Sequence, residues 1–494
     1  MKRIINSITL FVFLASICAC NDWLDETPPS QIPEEEQFKD ETGFRQALIG
    51  CYIGMAKETL YGKNLTWYAL ELQDPKYVQN TMADWAPMAT YSYKNSKAVS
   101  ILENVWLEAY NIIANVNNAL KFMETKASVL NPISYKVIKG ELLAIRAMLH
   151  FDLMRLYGYG NLGERSDKDS KLTIPYVKDY SKELTAQKSY KETINLIIAD
   201  LTAAIDLLKE EDPVTGKHDA SYYASLNEDG FYNDRTWRLN YFAVKALLAR
   251  VYMWEGSDAS LLLARQEALD VIEEGENAGL YTWVTNETIG TNLILSTEHI
   301  ASLNVLTLSD KILDYFKLTP ASTDYDVIML SEESMNSIFS EEGEGSNADF
   351  RASVKMLYPS SNGNYVPLKL SQNGTTAASG SLNRIPLVRI SEMFLIVAET
   401  YLKGTDVNTG TAAQYLTTLR EKRSNFINIS TYSQEQLLTC LTNEYRREFL
   451  CEGISFLYFK RIGAETLPNS VTTMNDATYV WPYPAIELEM GLVQ

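Results

Sequence analysis

The chain is poor in the residues that build metal centres, disulfide frameworks and nucleic-acid interfaces. Among 494 residues there are three His, His150, His218 and His299, and no two stand at metal-ligand spacing, which argues against a His-rich metal centre. Five Cys occur, Cys18, Cys20, Cys51, Cys440 and Cys451. Cys440 and Cys451 fall on one predicted helix, too far apart to bond, so no disulfide framework is expected and the later thiols read as buried and structural. Lys and Arg number 44 against 63 Asp and Glu, a formal net charge of −19. That excludes nucleic-acid backbones and basic adhesion to anionic lipid, both of which need a cationic face. After the first twenty residues no apolar run is long enough to span a bilayer. A phosphate-binding P-loop, G-x-G-x-x-G, H-E-x-x-H and G-x-S-x-G are all missing, so the common nucleotide, zinc-protease and serine-hydrolase chemistries have no signature. No cofactor and no metal is expected.

What is present is a globular composition, 46% hydrophobic and 22% charged, with 30 Tyr and 8 Trp against 16 Phe. Rings with a polar handle suit half-wet surfaces and the faces of sugars. The N-terminus reads as an address. Lys2 and Arg3 precede an apolar stretch over 8–17, followed by Ile17-Cys18-Ala19-Cys20, which resembles a bacterial lipobox. Residues 1–19 are read as a lipoprotein signal peptide, Cys20 as the lipid anchor, and the acidic, Pro-containing stretch 20–36 as a tether. The remainder, 37–494, is read as a single domain lying on the membrane by its lipid and not spanning it.

From about residue 99 onward helical period dominates. Stripes at i, i+3 and i+4 predict helices over 99–125, 135–157, 190–209, 240–255, 259–274, 391–403, 411–424 and 433–462. Gly158, Gly256, Gly275 and Gly404 stand where a helix ends in positive φ. Ala249-Arg-Val-Tyr252 before Gly256 matches Ala398-Glu-Thr-Tyr401 before Gly404, a faint repeat of helix, turn, helix of the tetratricopeptide kind. The expected fold is mainly α, a tetratricopeptide-like scaffold of helical pairs over about 99–279 and 387–465. A loop-rich second face over about 280–386, dense in Gly, Ser, Thr and Asn, holds short helices and a small hairpin. Stretches 65–96 and 217–238 are also irregular. Loops on a rigid scaffold are where binding residues sit.

Four segments then carry a resemblance. Arg146-Ala-Met-Leu-His-Phe-Asp-Leu-Met-Arg155-Leu-Tyr157-Gly158, Arg384-Ile-Pro-Leu-Val-Arg389-Ile-Ser-Glu392 through Glu399, Asn443-Glu444-Tyr445-Arg446-Arg447-Glu448 through Gly453, and Trp481-Pro482-Tyr483-Pro484 through Glu487 resemble, in order, the characteristic segments of SusD/RagB proteins. Two departures stand out. Tyr445 occupies a position where relatives usually carry Arg, and Ser455-Phe456-Leu457-Tyr458-Phe459-Lys460-Arg461 stands where R-W-x-D-L-x-R is usual, so the usual Arg and Asp are absent and one local ion pair with them. The resemblance implies a SusD-like fold and an outer-membrane lipoprotein of Bacteroidetes exposed at the cell surface. It implies capture of oligosaccharide, delivery to a SusC-like TonB-dependent transporter, and no catalysis. Peptide cargo in the same uptake system and, in another class, a glycoside hydrolase are the alternatives.

Glu444, Glu448 and Glu452 share a helical face beside Arg446 and Arg447. A glycosidase needs carboxylates across a cleft, one with a raised pKa, so this cluster reads as a fold-holding ion network. His150, on an apolar helix, reads as a core histidine. Arg146 and Arg155 read as ties between helices, and Asp349-Phe350-Arg351 as a structural turn. The acidic stretch 340–349 lacks Ca²⁺-loop spacing. For cargo, Trp67, Trp85 and Tyr91 in the first loop and Tyr315 and Tyr325 in the second are the expected sugar-facing rings, with Asp326 beside them. Trp106, Trp237 and Trp254 read as core.

Overall fold

In a computed structural model, residues 34–339, 349–372 and 380–493 are described. The lipobox, Cys20, nearly all of the tether and all of the 340–349 stretch but Asp349 lie outside them.

Helices of eight or more residues are α1 (Glu41–Met55), α2 (Ser96–Thr125), α3 (Pro132–Tyr157), α4 (Tyr190–Glu211), α5 (Tyr241–Glu255), α6 (Asp258–Asn277), α7 (Leu308–Tyr315), α8 (Glu332–Phe339), α9 (Ile390–Thr400), α10 (Thr409–Lys422), α11 (Gln434–Glu448) and α12 (Ile454–Arg461). Successive long helices pack side by side: α1 on α2, α2 on α3, α3 on α4, α4 on α5, α5 on α6, α6 on α9 and α9 on α10. The chain is mainly helical, and its long helices form a stack in sequence order.

Local chemistry sets the helix ends. Asn131 caps α3 by accepting the Ile133 N–H, with Pro132 at the first helical position, where the missing N–H costs nothing. Ser189 with Glu192, and Ser433 with Gln436, form reciprocal capping boxes on α4 and α11. Gly256 closes α5 at φ 74°, and Gly163 lies so close against it that a Cβ there would meet the Gly256 carbonyl oxygen at 2.7 Å.

Three expectations are corrected. The helix expected over 433–462 is two: α11 stops at Glu448, Cys451 and Gly453 take φ of 63° and 73°, and α12 begins at Ile454. Cys451 therefore lies in the turn, not on one helix with Cys440. Gly158 is extended at φ −112° and Gly275 lies inside α6, so neither ends a helix in positive φ. Helix α1 falls in a stretch the periodicity left unassigned, although Phe44, Leu48, Cys51 and Met55 face the core.

The expected loop-rich region holds a six-residue strand, β3 (His299–Asn304), preceded in the chain by the short pair β1 (Leu172–Pro175) and β2 (Gln187–Ser189). It also holds a hairpin, β4 (Leu357–Pro359) with β5 (Tyr365–Pro367). β3 pairs antiparallel with β6 (Arg384–Arg389), which leads into α9. The irregular region is thus tied to the helical stack through backbone bonds. One contiguous core of buried side chains runs from Phe38 to Val493.

Candidate ligand-binding seam

The first loop is held from beneath by a buried charge cluster. Lys76 Nζ lies 2.9 Å from Glu71 and 3.0 Å from Asp74, with all three side chains buried. Glu71 also accepts the Tyr77 hydroxyl at 2.6 Å and the backbone N–H groups of Cys451 and Gly453, each at 2.8 Å. The positive-φ turn between α11 and α12 is therefore capped by a carboxylate from a loop nearly four hundred residues earlier. A carboxylate accepting several backbone N–H bonds is among the stronger neutral-to-charged contacts a turn can have. A side chain at Gly453 would meet the Thr66 carbonyl oxygen at 2.8 Å.

Above this base the first loop is stitched to the second. Val78 N–H donates to Met329 O at 2.8 Å, and Leu330 bridges both Tyr77 and Tyr365. Asn80 Nδ2 donates to Tyr325 O at 2.8 Å, the Asp84 N–H to Asp326 Oδ1 at 2.7 Å, and Trp85 Nε1 to Asp326 O at 3.2 Å. At the other end Lys63 Nζ donates to the Tyr315 hydroxyl at 2.7 Å. Ile328 N–H donates to Tyr315 O at 2.7 Å, which joins the two ends.

The rings expected to face cargo divide. Trp67 and Trp85 are each 0% exposed, which corrects the expectation that they present open faces. Trp67 donates its indole N–H to Gly62 O and packs edge-on against Tyr315 at 5.3 Å. Trp85 is covered by the segment carrying Asp326. Both large rings fill the space the irregular backbone leaves, because an uncovered indole in the interior would forfeit its dispersion contacts. Tyr91, at φ 55°, is drawn elsewhere: its hydroxyl donates to Gln73 O at 2.7 Å and its ring lies 6.3 Å from Phe456. Tyr315 is half-buried. Tyr325, 40% exposed, presents its ring to solvent beside the half-buried Asp326. Four of the five rings thus share one neighbourhood, and Tyr91 does not. Sequence reasoning missed Lys63, Tyr68 and Asn80; Tyr68 stands next to Trp67 in the chain, but only the fold brings Tyr315 onto it, at 5.2 Å.

The carboxylates of α11 are interior. Arg351 Nη1 donates to Glu444 and to Glu448, both at 2.9 Å, while Arg389 and Arg423 reach Glu448 at 2.6 Å. Arg389 and Lys369 hold Glu452. Burial opposes ionisation of Glu444, but Arg351, Arg447 and Arg420 outweigh it and hold its carboxyl down to about 2. A general acid needs the opposite displacement. His150 is pushed down to about 3 by burial; it stacks 4.0 Å from Tyr176, lies 2.8 Å from Arg146 O and accepts the Val177 N–H at Nε2. Arg146 grips Asp200 at 2.7 and 2.8 Å, and Arg155 pairs with Asp152.

A wider concavity of about 910 Å³ lies between the outer face of α1 and the 229–238 loop. Trp237, expected in the core, is half-buried there. Its ring carries the Arg384 guanidinium at 4.6 Å, and Phe231 carries those of Arg45 and Arg238 at 4.6 and 4.2 Å. Ring faces taken by guanidinium are not free for sugar, and the remaining wall mixes polar groups such as Gln46, Asn233 and Asn304 with exposed aliphatic ones, Ile53 at 63% and Leu306 at 76%.

Among known proteins, a family described as starch-binding and associating with the outer membrane matches residues 22–228, and the SusD family matches residues 318–487. Two SusD-like proteins of Formosa agariphila, P25 and P2, are each 25% identical, over 164 and 210 residues, which is 31% and 41% of this chain. The chain matches less than two fifths of the length of these curated relatives, 30% and 38%. A SusD superfamily protein from Bacteroides thetaiotaomicron VPI-5482 superposes with a TM-score of 0.70 at 20% identity, covering 92% of this chain and 99% of that one. A putative sugar binding protein from Bacteroides vulgatus ATCC 8482 gives 0.66 at 20% identity, covering 92% and 96%. With the helical stack and the ordered motifs in place, and with SusD-type models matching residues 22–228 and 318–487, the chain belongs to the SusD family.

Proposed function

We propose that this protein is a cell-surface receptor, anchored through a lipid on Cys20, that captures oligosaccharide and delivers it unchanged to a SusC-like TonB-dependent transporter. In this reading residues 1–19 are removed, 20–36 tether, and 37–494 form the receptor. The observation that carries it is the seam itself. Tyr325 projects from a loop whose backbone is fixed to Asn80 and Asp84, so the base of its ring is placed before cargo arrives, which lowers the ordering cost of binding. A sugar stacks its C–H face on such a ring and bonds its hydroxyls to neighbouring carboxylate and amide groups. The family description and the sugar-binding relative support it. The paired α11 carboxylates, held ionised among Arg, support capture without cleavage.

The test is an array of oligosaccharides and peptides probed with the full chain and with Tyr325→Ala. Saccharide binding that Tyr325→Ala abolishes is the expected result. Binding of peptides alone, or release of shortened products on long incubation, would overturn the reading.

A further inference from the structure

The Lys63 ammonium stands apart from the other cations of the seam. Lys97 is paired with Asp84, and Lys311 with Glu58 at 3.2 Å. Lys63 has no carboxylate within 4.0 Å among the described residues, although the chain carries nineteen more acids than bases by formal charge. Its Nζ sits 4.0 Å from the centre of the Tyr68 ring and 4.6 Å from that of Tyr315. It spends one N–H on the Tyr315 hydroxyl, and among the described residues no other protein acceptor takes the rest. An ammonium has three donors. The nearby acids are engaged: Asp84 holds Lys97, and Asp326 accepts the Asp84 N–H. Burial lowers the Lys63 pKa from its ordinary value, and Glu58, Asp326 and Asp84 offset it only in part, as expected for a half-buried cation with no carboxylate in contact. Two ring faces and one hydroxyl keep it in place without neutralising it.

We propose that Lys63 makes the seam selective for acidic saccharides, its free N–H donors taking an anionic substituent of the sugar, a uronate carboxylate or a sulfate ester, while the neighbouring exposed Tyr325 ring takes the sugar face. The inference rests on the oligosaccharide reading above and narrows its substrate class. Desolvated, charge-assisted bonds of this kind are worth more than exposed ones, and the ammonium's fixed position is what distinguishes Lys63 from a surface lysine waving in water.

The test titrates the full chain with matched pairs: oligogalacturonates and other uronate oligomers against their methyl esters, and sulfated galactan oligomers against their desulfated forms. The acid member of at least one pair is expected to bind about tenfold tighter, as one charge-assisted contact allows. Whether that pair is a uronate or a sulfate identifies the anion. Lys63→Met is expected to bring the acid-to-neutral ratio to about one, and Lys63→Arg to retain a preference. A melting curve for each variant distinguishes lost selectivity from lost fold. Equal binding of both members in every pair, or a preference that survives Lys63→Met, overturns the inference and leaves the oligosaccharide reading standing. Binding of no member of any pair overturns the inference, and binding of no saccharide in the wider array overturns both.

Discussion

Tyr445 and Tyr458 stack with ring centroids 4.1 Å apart and planes 19° from parallel. They occupy positions where the resemblance to SusD/RagB proteins leads Arg and Asp to be expected. Both are buried, and Tyr458 reaches the Thr442 hydroxyl at 2.9 Å. Two rings thus sit where the resemblance implies charged groups, and a stacked ring pair contributes about 0.5–1.5 kcal/mol beyond its buried area while sparing the desolvation of two charges.

Truncating one ring removes the stack and leaves a cavity. Tyr445→Ala is expected to cost about 3–5 kcal/mol, as large-to-small aromatic changes in cores do, and Tyr445→Phe far less. Denaturant unfolding of the three proteins measures it. Restoring the usual charges singly, as Tyr445→Arg, is expected to destabilise, since its counterion is missing.

Trp67 and Tyr325 separate stability from binding. Trp67→Ala is expected to cost about 3–5 kcal/mol because the ring is wholly enclosed. Tyr325→Ala is expected to leave the unfolding midpoint within about 0.5 kcal/mol, the usual range for surface changes, while weakening saccharide capture. Thermal melts and titrations on the same two variants give the contrast, which reverses if the indole, and not the phenol, meets cargo.

The α11–α12 turn is sterically exacting. Gly453→Ala adds a Cβ at φ 73° and 2.8 Å from a backbone oxygen, so it is expected to cost more than about 1 kcal/mol through strain alone. Because Glu71 binds this turn, hydrogen exchange in the 63–78 loop is expected to rise in the variant.

Acid is expected to weaken the fold in two stages. His150 is pushed down to about 3, against about 6.5 unfolded, so the unfolded chain binds the extra proton first. Its contribution is complete above pH 6.5 and is lost as pH falls toward 3. Glu444, among Arg351, Arg447 and Arg420, and Glu399, between Arg461 and Lys403, are each held down to about 2 by cations that outweigh their burial; they contribute fully above about 4.3 and lose that contribution as pH falls toward 2. Unfolding free energy measured from pH 8 to pH 3 is expected to bend below 6.5 and steepen below 4.5, with His150→Gln flattening the upper bend. Glu448→Gln, which leaves Arg389 and Arg423 facing a neutral amide, is expected to cost about 3–5 kcal/mol at pH 7.

Helix placement was legible because period-3.6 burial is written residue by residue along the chain, and the caps at Asn131, Ser189 and Ser433 mark its boundaries locally. The break after Glu448 was not, although Gly453 marks it: the apolar stripe runs on past it, and the Glu71 carboxylate that accepts the Cys451 and Gly453 N–H groups lies nearly four hundred residues away. The ion network of α11 was legible only as an excess of acids beside bases: Arg447 pairs with Glu444 within the helix, but Arg351, Arg389 and Arg423 reach its carboxylates from distant segments.

The sequence by itself determined the helical register and the acidic character, because these follow from spacing and composition, and it carried the family through the resemblance of its ordered segments. Only the tertiary structure decided which rings meet water. Burial belongs to whatever packs over a side chain, and the segment that covers Trp85 and props up Tyr325 arrives from some 240 residues away, at Asp326, where no periodic pattern could announce it.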